Sequence, residues 1–296
     1  MTNISIELSG PDFTTRFHND WDVCESQGLL HVENLEGWYG GVGARTAEMT
    51  LAGQHGAYLA PTLRGPRSMT LVLTWVSSVD TGNLAYTRFS RFASGLAWDK
   101  GPYRMTVTEG DAVLWTDVHL DGEIQHQPIN AAYESAFRVM IPLKADSFLY
   151  GPDRTTFLTP EGTGVGLEFD LFSEESGDGD PILTYGEYID IDEVVTNLGN
   201  ATAYPSFLVV GDFPGGVGLS VGRGTLEFPW PLVRRAPLQI DASGSAWIGA
   251  TNVTARLSRR DFSAFQVRPG AQIAPAMYAL QGGSGYCEMH TWDTYI

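Results

Sequence analysis

Residues 112–120 read Ala112-Val-Leu-Trp-Thr-Asp-Val-His-Leu120, and this stretch decides the fold class. Ala112, Leu114, Thr116, Val118 and Leu120 fall on one side of a period-two pattern. Val113, Trp115, Asp117 and His119 fall on the other. Successive side chains of a strand point to opposite faces, so the even-numbered face suits a core and the odd-numbered face suits water. Working outward, the same period recurs at Ile4, Ile6 and Leu8. It recurs again at Leu167, Phe169 and Leu171, alternating with Glu168 and Asp170. Strands bounded by Gly, Pro, Asn and Asp follow one another along the chain. Asp121-Gly122 is a hairpin-turn signal, which would set Leu120 opposite Glu123 and Asp117 opposite His126.

One stretch has a different period. Ala85, Phe89, Phe92 and Leu96 are spaced for one face of a helix over Leu84–Trp98, with Arg88 and Arg91 on the other side. Thr81 and Asn83 supply cap candidates, and Gly101-Pro102 ends the run. One helix among strands predicts a β-barrel-like (α+β) first domain. The turn cluster Tyr150-Gly-Pro-Asp-Arg154 predicts a boundary, giving domains 1–155 and 156–296. The second part has short strands and no helical pattern, so it reads as an all-β sandwich. The fold class is mainly β.

Composition bounds the function. The 296 residues are 43% hydrophobic and 18% charged, and the charged share lies below the roughly 25% of an average soluble protein. That argues for a packed core and against a disordered tail. The formal net charge of −17 is wrong for a general phosphate-binding surface or for docking on anionic lipid. Neither a specific nucleic-acid partner nor a membrane is expected. The start, Met1-Thr-Asn-Ile-Ser-Ile-Glu7, has no basic and apolar leader pattern, so no signal peptide is expected. The longest apolar run, Met69–Val76, is far short of the ~18 residues of a membrane helix. Cys24 and Cys287 lie near opposite ends without a CxxC pattern and read as two buried thiols. All but Lys100 and Lys144 of the basic residues are Arg. No basic residue falls between Arg154 and Arg223, where acidic residues are dense.

Catalytic signatures are missing. There is no GxSxG elbow, no HExxH and no Walker motif, and Gly162, Gly164 and Gly166 lie between strands rather than before a helix. Four groupings remain to be weighed. Asp117, His119 and His126 would share the outer face of a hairpin, where a carboxylate and two imidazoles can hold zinc or simply face water. Glu174-Glu-Ser-Gly-Asp-Gly-Asp180 has oxygen ligands for calcium but not EF-hand spacing, and a solvated loop is the plainer reading. Glu168 with Asp170, or Asp190 with Asp192, could pair for glycoside hydrolysis if their strands were adjacent. Trp38-Tyr39, Trp230 and Trp292 suit sugar stacking, a core or a subunit interface. Arg234-Arg235 and Arg259-Arg260 suit acidic neighbours or solvent. No catalytic, cofactor-binding or metal-binding residue is assigned, and no cofactor is expected.

Several local patterns, taken in order, resemble those of the distal tail proteins of long-tailed, non-contractile bacteriophages. In the first half the carriers are Gly28-Leu-Leu-His-Val-Glu33, His55-Gly-Ala-Tyr-Leu59 and Gly65-Pro-Arg-Ser-Met-Thr-Leu-Val-Leu73. Phe137-Arg-Val-Met-Ile-Pro-Leu-Lys-Ala-Asp146 follows, with Asp146-Ser147 where that family often has Asp-Pro. In the second half they are Val195-Thr-Asn-Leu-Gly-Asn200, Tyr204-Pro205, Val209-Val-Gly211 and Leu238-Gln-Ile-Asp241. Phe265-Gln-Val-Arg-Pro-Gly270 and His290-Thr-Trp292 complete the series. The resemblance spans nearly the whole chain and rests on order and spacing. It implies a structural virion protein and not an enzyme, with a galectin-like β-sandwich as second domain. It also implies a homo-hexameric ring formed through the first domain, located at the virion tail tip after synthesis in the host cytoplasm. The implied partners are the tail tube protein, the baseplate hub or tail-associated protein, and the tape-measure protein. DNA would cross the ring on ejection. The alternative is a carbohydrate-binding β-sandwich module that contacts host-surface polysaccharide.

Overall fold

The computed structural model describes residues 3–11, 14–50, 57–59, 62–76, 87, 89–91, 93–95, 102–129, 136–161, 168–169, 183–184 and 194–296. The chain forms two compact units, 1–152 with 295–296, and 153–294. Both are built mainly from strands.

The first unit is a closed barrel. Ile4–Ser9 pairs on one side with Thr14–His18 and on the other with Tyr103–Glu109. Tyr103–Glu109 pairs on with Ala112–Leu120. Thr14–His18 runs parallel to Leu30–Glu36, which pairs with Arg67–Val76, which pairs over ten residues with Ala136–Ala145. That strand closes the circle, since Val118, His119 and Leu120 lie opposite Ala145, Lys144 and Leu143. Seven strands thus return to their start. The inward residues, among them Ile6, Leu8, Leu71, Leu73, Met105, Val139 and Ile141, are fully shielded and form one core. Each such side chain contributes about 1.5–3 kcal/mol relative to leaving it in water. In Ala112–Leu120 it is Thr116 and Val118 that are buried, so the even-numbered face points inward as the alternation predicts.

Two local expectations need correction. The first is the number of helices. Positions 87, 89–91 and 93–95 are helical, within the stretch predicted at Leu84–Trp98. A second helix, Trp21–Gln27, was not expected from periodicity. It has fewer than two turns, too short to show an apolar stripe. Its signals are local: the Asp20 side chain accepts the Asp22 N–H, and Gly28 closes the helix at φ +63, a conformation costly for any residue with a Cβ. The helix carries the chain across between the two parallel strands. The second correction is the Asp121-Gly122 turn. Gln125–Pro128 does not fold back on Ala112–Leu120; it pairs with Ala136–Ala145, beside residues 137–140. Both strands use the same edge of Ala136–Ala145, one after the other, and the Asp121 N–H donates to the Pro142 carbonyl at 3.0 Å.

The second unit is a sandwich of two sheets. One runs Ser284–Tyr295, Ser206–Asp212, Leu238–Ile240, Ala246–Ile248 and Thr251–Asn252, with the 153–158 part of Leu149–Leu158 beside Ser284–Tyr295. The other runs Pro160–Glu161, Ala276–Ala279, Val217–Val221, Gly224–Phe228 and Arg259–Arg260. Phe207, Val209, Ile240, Cys287 and Met289 of the first sheet pack with Val217, Leu219, Leu226, Phe228 and Met277 of the second. Each strand sends alternate residues inward, as two facing sheets require.

Candidate functional site

The candidate grouping of Asp117, His119 and His126 does not come together as a metal site. Asp117 lies opposite Arg104 and accepts from its Nε at 3.4 Å. His119 lies opposite Lys144, and His126 lies opposite Val139 with its ring 5.2 Å from that of Phe137. The shared face required the hairpin that the barrel closure replaces. Among the described residues no group of three His, Cys, Asp or Glu is placed to hold a metal ion. The acidic run 174–180, Asp170, Asp190 and Asp192 lie outside the described residues. Glu168 is described only as backbone, in a two-residue strand with Phe169 that pairs with Leu183–Thr184.

The aromatic candidates separate by environment. Trp38 belongs to the barrel core, whereas Tyr39 is exposed and donates its hydroxyl to Glu109 at 2.7 Å. Trp230 is exposed with the Arg256 guanidinium 5.4 Å from its ring centre, and Trp292 is half-buried. Arg234 offers its backbone N–H to Asp212, and Arg259 pairs with Glu227 at 3.6 Å. Cys24 and Cys287 are both free and buried. Burial pushes the Cys24 thiol up to about 11 and the Cys287 thiol upward as well.

What the structure does assemble are two buried polar knots, each built on residues that carried the sequence resemblance. In the sandwich, Asn197 is buried and uses its whole side-chain amide. Its Nδ2 donates to the carbonyls of Ala201 at 2.7 Å and Val267 at 2.9 Å. Its Oδ1 accepts from the N–H of Gly199 at 2.9 Å and of Thr294 at 3.2 Å. The backbone carbonyl of Asn197 takes the Gly270 N–H at 2.8 Å, which brings in the Pro269-Gly270 turn. Gly199 has no room for a side chain, because a Cβ there would lie 1.9 Å from the Thr294 carbonyl oxygen. Next to it Asp293 is buried. It accepts the Leu198 N–H on one oxygen and the Arg154 guanidinium on the other, each at 2.6 Å. Asn-x-Gly, Pro-Gly and the terminal segment are thus three sides of one junction.

In the barrel, Arg67 is the buried arginine of the Gly65-Pro-Arg run, with 1% of its surface exposed. Nη1 donates to the carbonyls of Gly37, Trp38 and Gly40 at 2.9, 2.8 and 2.6 Å. Ser147, the departure from the family's Asp-Pro, fills the same corner. Its hydroxyl donates to the Gly65 carbonyl at 2.6 Å, and its N–H is held by Asp146. Burial alone lowers the Arg67 pKa, yet a guanidinium stays charged at any working pH. The cation is therefore held by backbone dipoles, which fixes the 37–40 loop on the barrel. On the outer wall, Glu33 sits at a bulge between Val32 and Asn34, takes the Thr74 hydroxyl at 2.7 Å and pairs with Arg138. These geometries order main chain and surface; none of them aligns a nucleophile with a base.

No known protein family and no curated protein matches the chain by sequence. Solved structures do match by shape. The chain is similar to the SPP1 Dit protein, described as a paradigm of the hub adsorption apparatus in phages infecting Gram-positive hosts. The identity is 13%, the TM-score is 0.56, and the match covers 99% of both chains. It is also similar to a chain of the phage p2 baseplate in its activated conformation, solved with strontium and again with calcium. There the identity is 12%, the TM-score is 0.50, and the match covers 98% of both chains. At such identities the likeness is one of fold. It extends over essentially the full length, and the fold is that of the Dit proteins of phage tails.

Proposed function

We propose that this chain is a structural protein of a phage virion, the ring-forming adaptor at the distal end of the tail. The full-length match of both units to a Dit protein carries the reading. The buried knots support it, since the sequence landmarks of the resemblance are the residues that hold the fold together. The barrel unit forms the ring, a homo-hexamer, and the sandwich unit stands as a separate module. The ring receives the tail tube protein on one side and the baseplate hub or tail-associated protein on the other, with the end of the tape-measure protein nearby. It works by geometry and not by catalysis.

DNA leaving the virion crosses such a ring. A chain of net charge −17 repels phosphate, so DNA slides past without sticking. The test is the native mass of the purified chain, alone and with tail tube protein. A mass near six times 32.3 kDa, or a complex with the tube protein, is the expected result. A monomer at high micromolar concentration that shows no mass shift with tube protein overturns the reading.

A further inference from the structure

The short helix Trp21–Gln27 is held to the barrel wall by groups that respond to acid. It joins the parallel strands Thr14–His18 and Leu30–Glu36 and lies against both. Those strands pair at only two positions, Phe17 with Leu30 and His18 with His31, the shortest seam of the circle. Phe17 and Leu30 belong to the core, so the alternation sets both imidazoles on the outer wall, beside the helix. His18 Nδ1 accepts the Asp20 N–H at 2.9 Å, next to the helix cap. His31 Nε2 is 3.0 Å from the Asn19 carbonyl oxygen, and a carbonyl only accepts, so Nε2 carries the hydrogen. His31 Nδ1 then holds a lone pair; it is shielded from water and has no hydrogen-bond partner. The Trp21 ring lies flat on the same imidazole, with centroids 4.0 Å apart and planes 6° apart. Cys24, the buried residue of the helix, donates its thiol to the His18 carbonyl at 3.2 Å.

This arrangement needs both rings neutral. A proton on His18 Nδ1 displaces the Asp20 N–H. A proton on His31 Nδ1 creates a buried N–H with nothing to accept it, a cost that water removes once the helix lifts. We propose that His18 and His31 form an acid latch, whose protonation releases the Trp21–Gln27 helix from the barrel wall while the rest of the fold stays closed.

The surrounding groups set the direction of the response. Burial is the largest effect on His31 and disfavours the cation; His18 on the neighbouring strand opposes it too. The Asn19 carbonyl, Glu33 on its own strand and Asp20 before the helix favour it, as does the indole face of Trp21. On Arg67–Val76 the facing residue is the uncharged Thr74, and Arg138 beyond it is paired with Glu33. Beside His18 the facing residue on Ile4–Ser9 is Ser5, and Arg16, two residues back, is paired with Glu7 at 2.6 Å. Asp22 and Glu25 of the helix are exposed to water. Burial prevails, and the His31 pKa lies below its usual 6.5. The closed latch therefore binds fewer protons than the open one. Its stability is complete above about pH 6.5 and falls as pH drops through that value toward the lower closed-state one.

The thiols of the full chain report on it. Each is labelled with dithiodipyridine, which reacts in acid, and its rate is taken relative to the denatured chain at the same pH. Between about pH 8 and about pH 5.5, Cys24 should label about tenfold faster or more, while Cys287, in the sandwich, stays silent. His18→Asn keeps an acceptor where Nδ1 stood, and His31→Gln keeps a donor where Nε2 stood. Neither replacement takes up a proton, so the double variant should show no such acceleration. A second readout needs no variant: by NMR of the wild-type ring protons, His31 should titrate at the midpoint of Cys24 labelling. The proposal is overturned if Cys24 stays silent down to about pH 5 or if both thiols open together. It is equally overturned if the folded double variant keeps the acceleration, or if the two midpoints differ by more than about one pH unit.

Discussion

Oδ1 of Asn197 accepts the main-chain N–H of Thr294 at 3.2 Å, although 97 residues separate the two. The contact is one of four made by a single amide, and it ties the turn that follows Val195–Thr196 to the last strand, Ser284–Tyr295. Replacing Asn197 by Ala leaves two buried carbonyls and two N–H groups without that partner. Each unmet buried group costs about 1–3 kcal/mol, so Asn197→Ala should destabilise the sandwich by ~3 kcal/mol or more. Urea unfolding followed by tryptophan fluorescence measures it. A change below about 1 kcal/mol would show that the knot is ornamental.

Gly199→Ala tests the same junction by volume instead of polarity. The new Cβ meets the Thr294 carbonyl oxygen and cannot be accommodated without a shift of the last strand. A loss of about 1–3 kcal/mol is expected, the range of overpacked sites. Combined with Asn197→Ala, the two losses should be less than additive, because both break the same contact.

Arg67→Lys keeps the charge but replaces the planar fork with a shorter-reaching point charge. It cannot serve the carbonyls of Gly37, Trp38 and Gly40 as the guanidinium does. A destabilisation of about 3 kcal/mol is expected, the scale of a buried charge deprived of its partners. Hydrogen exchange should speed up first in residues 37–40, before the rest of the barrel opens.

Acid should weaken both units through identifiable carboxylates. Burial alone would raise the Asp241 pKa, but hydrogen bonds from Ser243, Ser245 and Trp247 outweigh it and lower the group below its usual 3.8. The Thr74 hydroxyl and Arg138 hold Glu33 below its usual 4.5 against a smaller effect of burial. A depressed folded-state pKa gives stability that is complete above the unfolded value and is lost as pH falls through the folded one. Stability should therefore fall below about pH 4.5. Asp241→Asn should flatten that fall for the sandwich, and Glu33→Gln should flatten it for the barrel. Melting temperature against pH for each variant checks this.

The two thiols should be silent in the folded chain. Both are buried with raised pKa values, so neither presents thiolate at neutral pH. Alkylation by iodoacetamide at pH 7.5 should proceed only after denaturation, when both react. Rapid labelling of the native chain would mean that the Trp21–Gln27 helix, which carries Cys24, opens readily.

Strand alternation was legible because it is local: Ile6 and Leu8, or Thr116 and Val118, go inward as their spacing predicts. The partner of a strand was not legible. Asp121-Gly122 is a sound turn signal, yet the ten-residue register between Ala136–Ala145 and Arg67–Val76 fixes that strand, and both shorter segments must share its other edge. Long-range pairing overrode a two-residue preference. Arg67 shows the same limit. Beside an apolar run it looks like an ordinary flanking charge, and only the topology reveals that three carbonyls surround it. The short helix Trp21–Gln27 went unread: Asp20 and Gly28 cap it, but the seven residues between them have no face to read.

The closed circle of seven strands has a consequence for crowding. An open sheet ends in unpaired main-chain groups that invite any neighbouring strand to join it. Each strand of the circle already has a neighbour on both sides, so the circle offers no such invitation. Copies that meet at the circle must recognise one another there through side chains, whose fit can be selective and reversible. Runaway stacking through the backbone of these seven strands is denied to them.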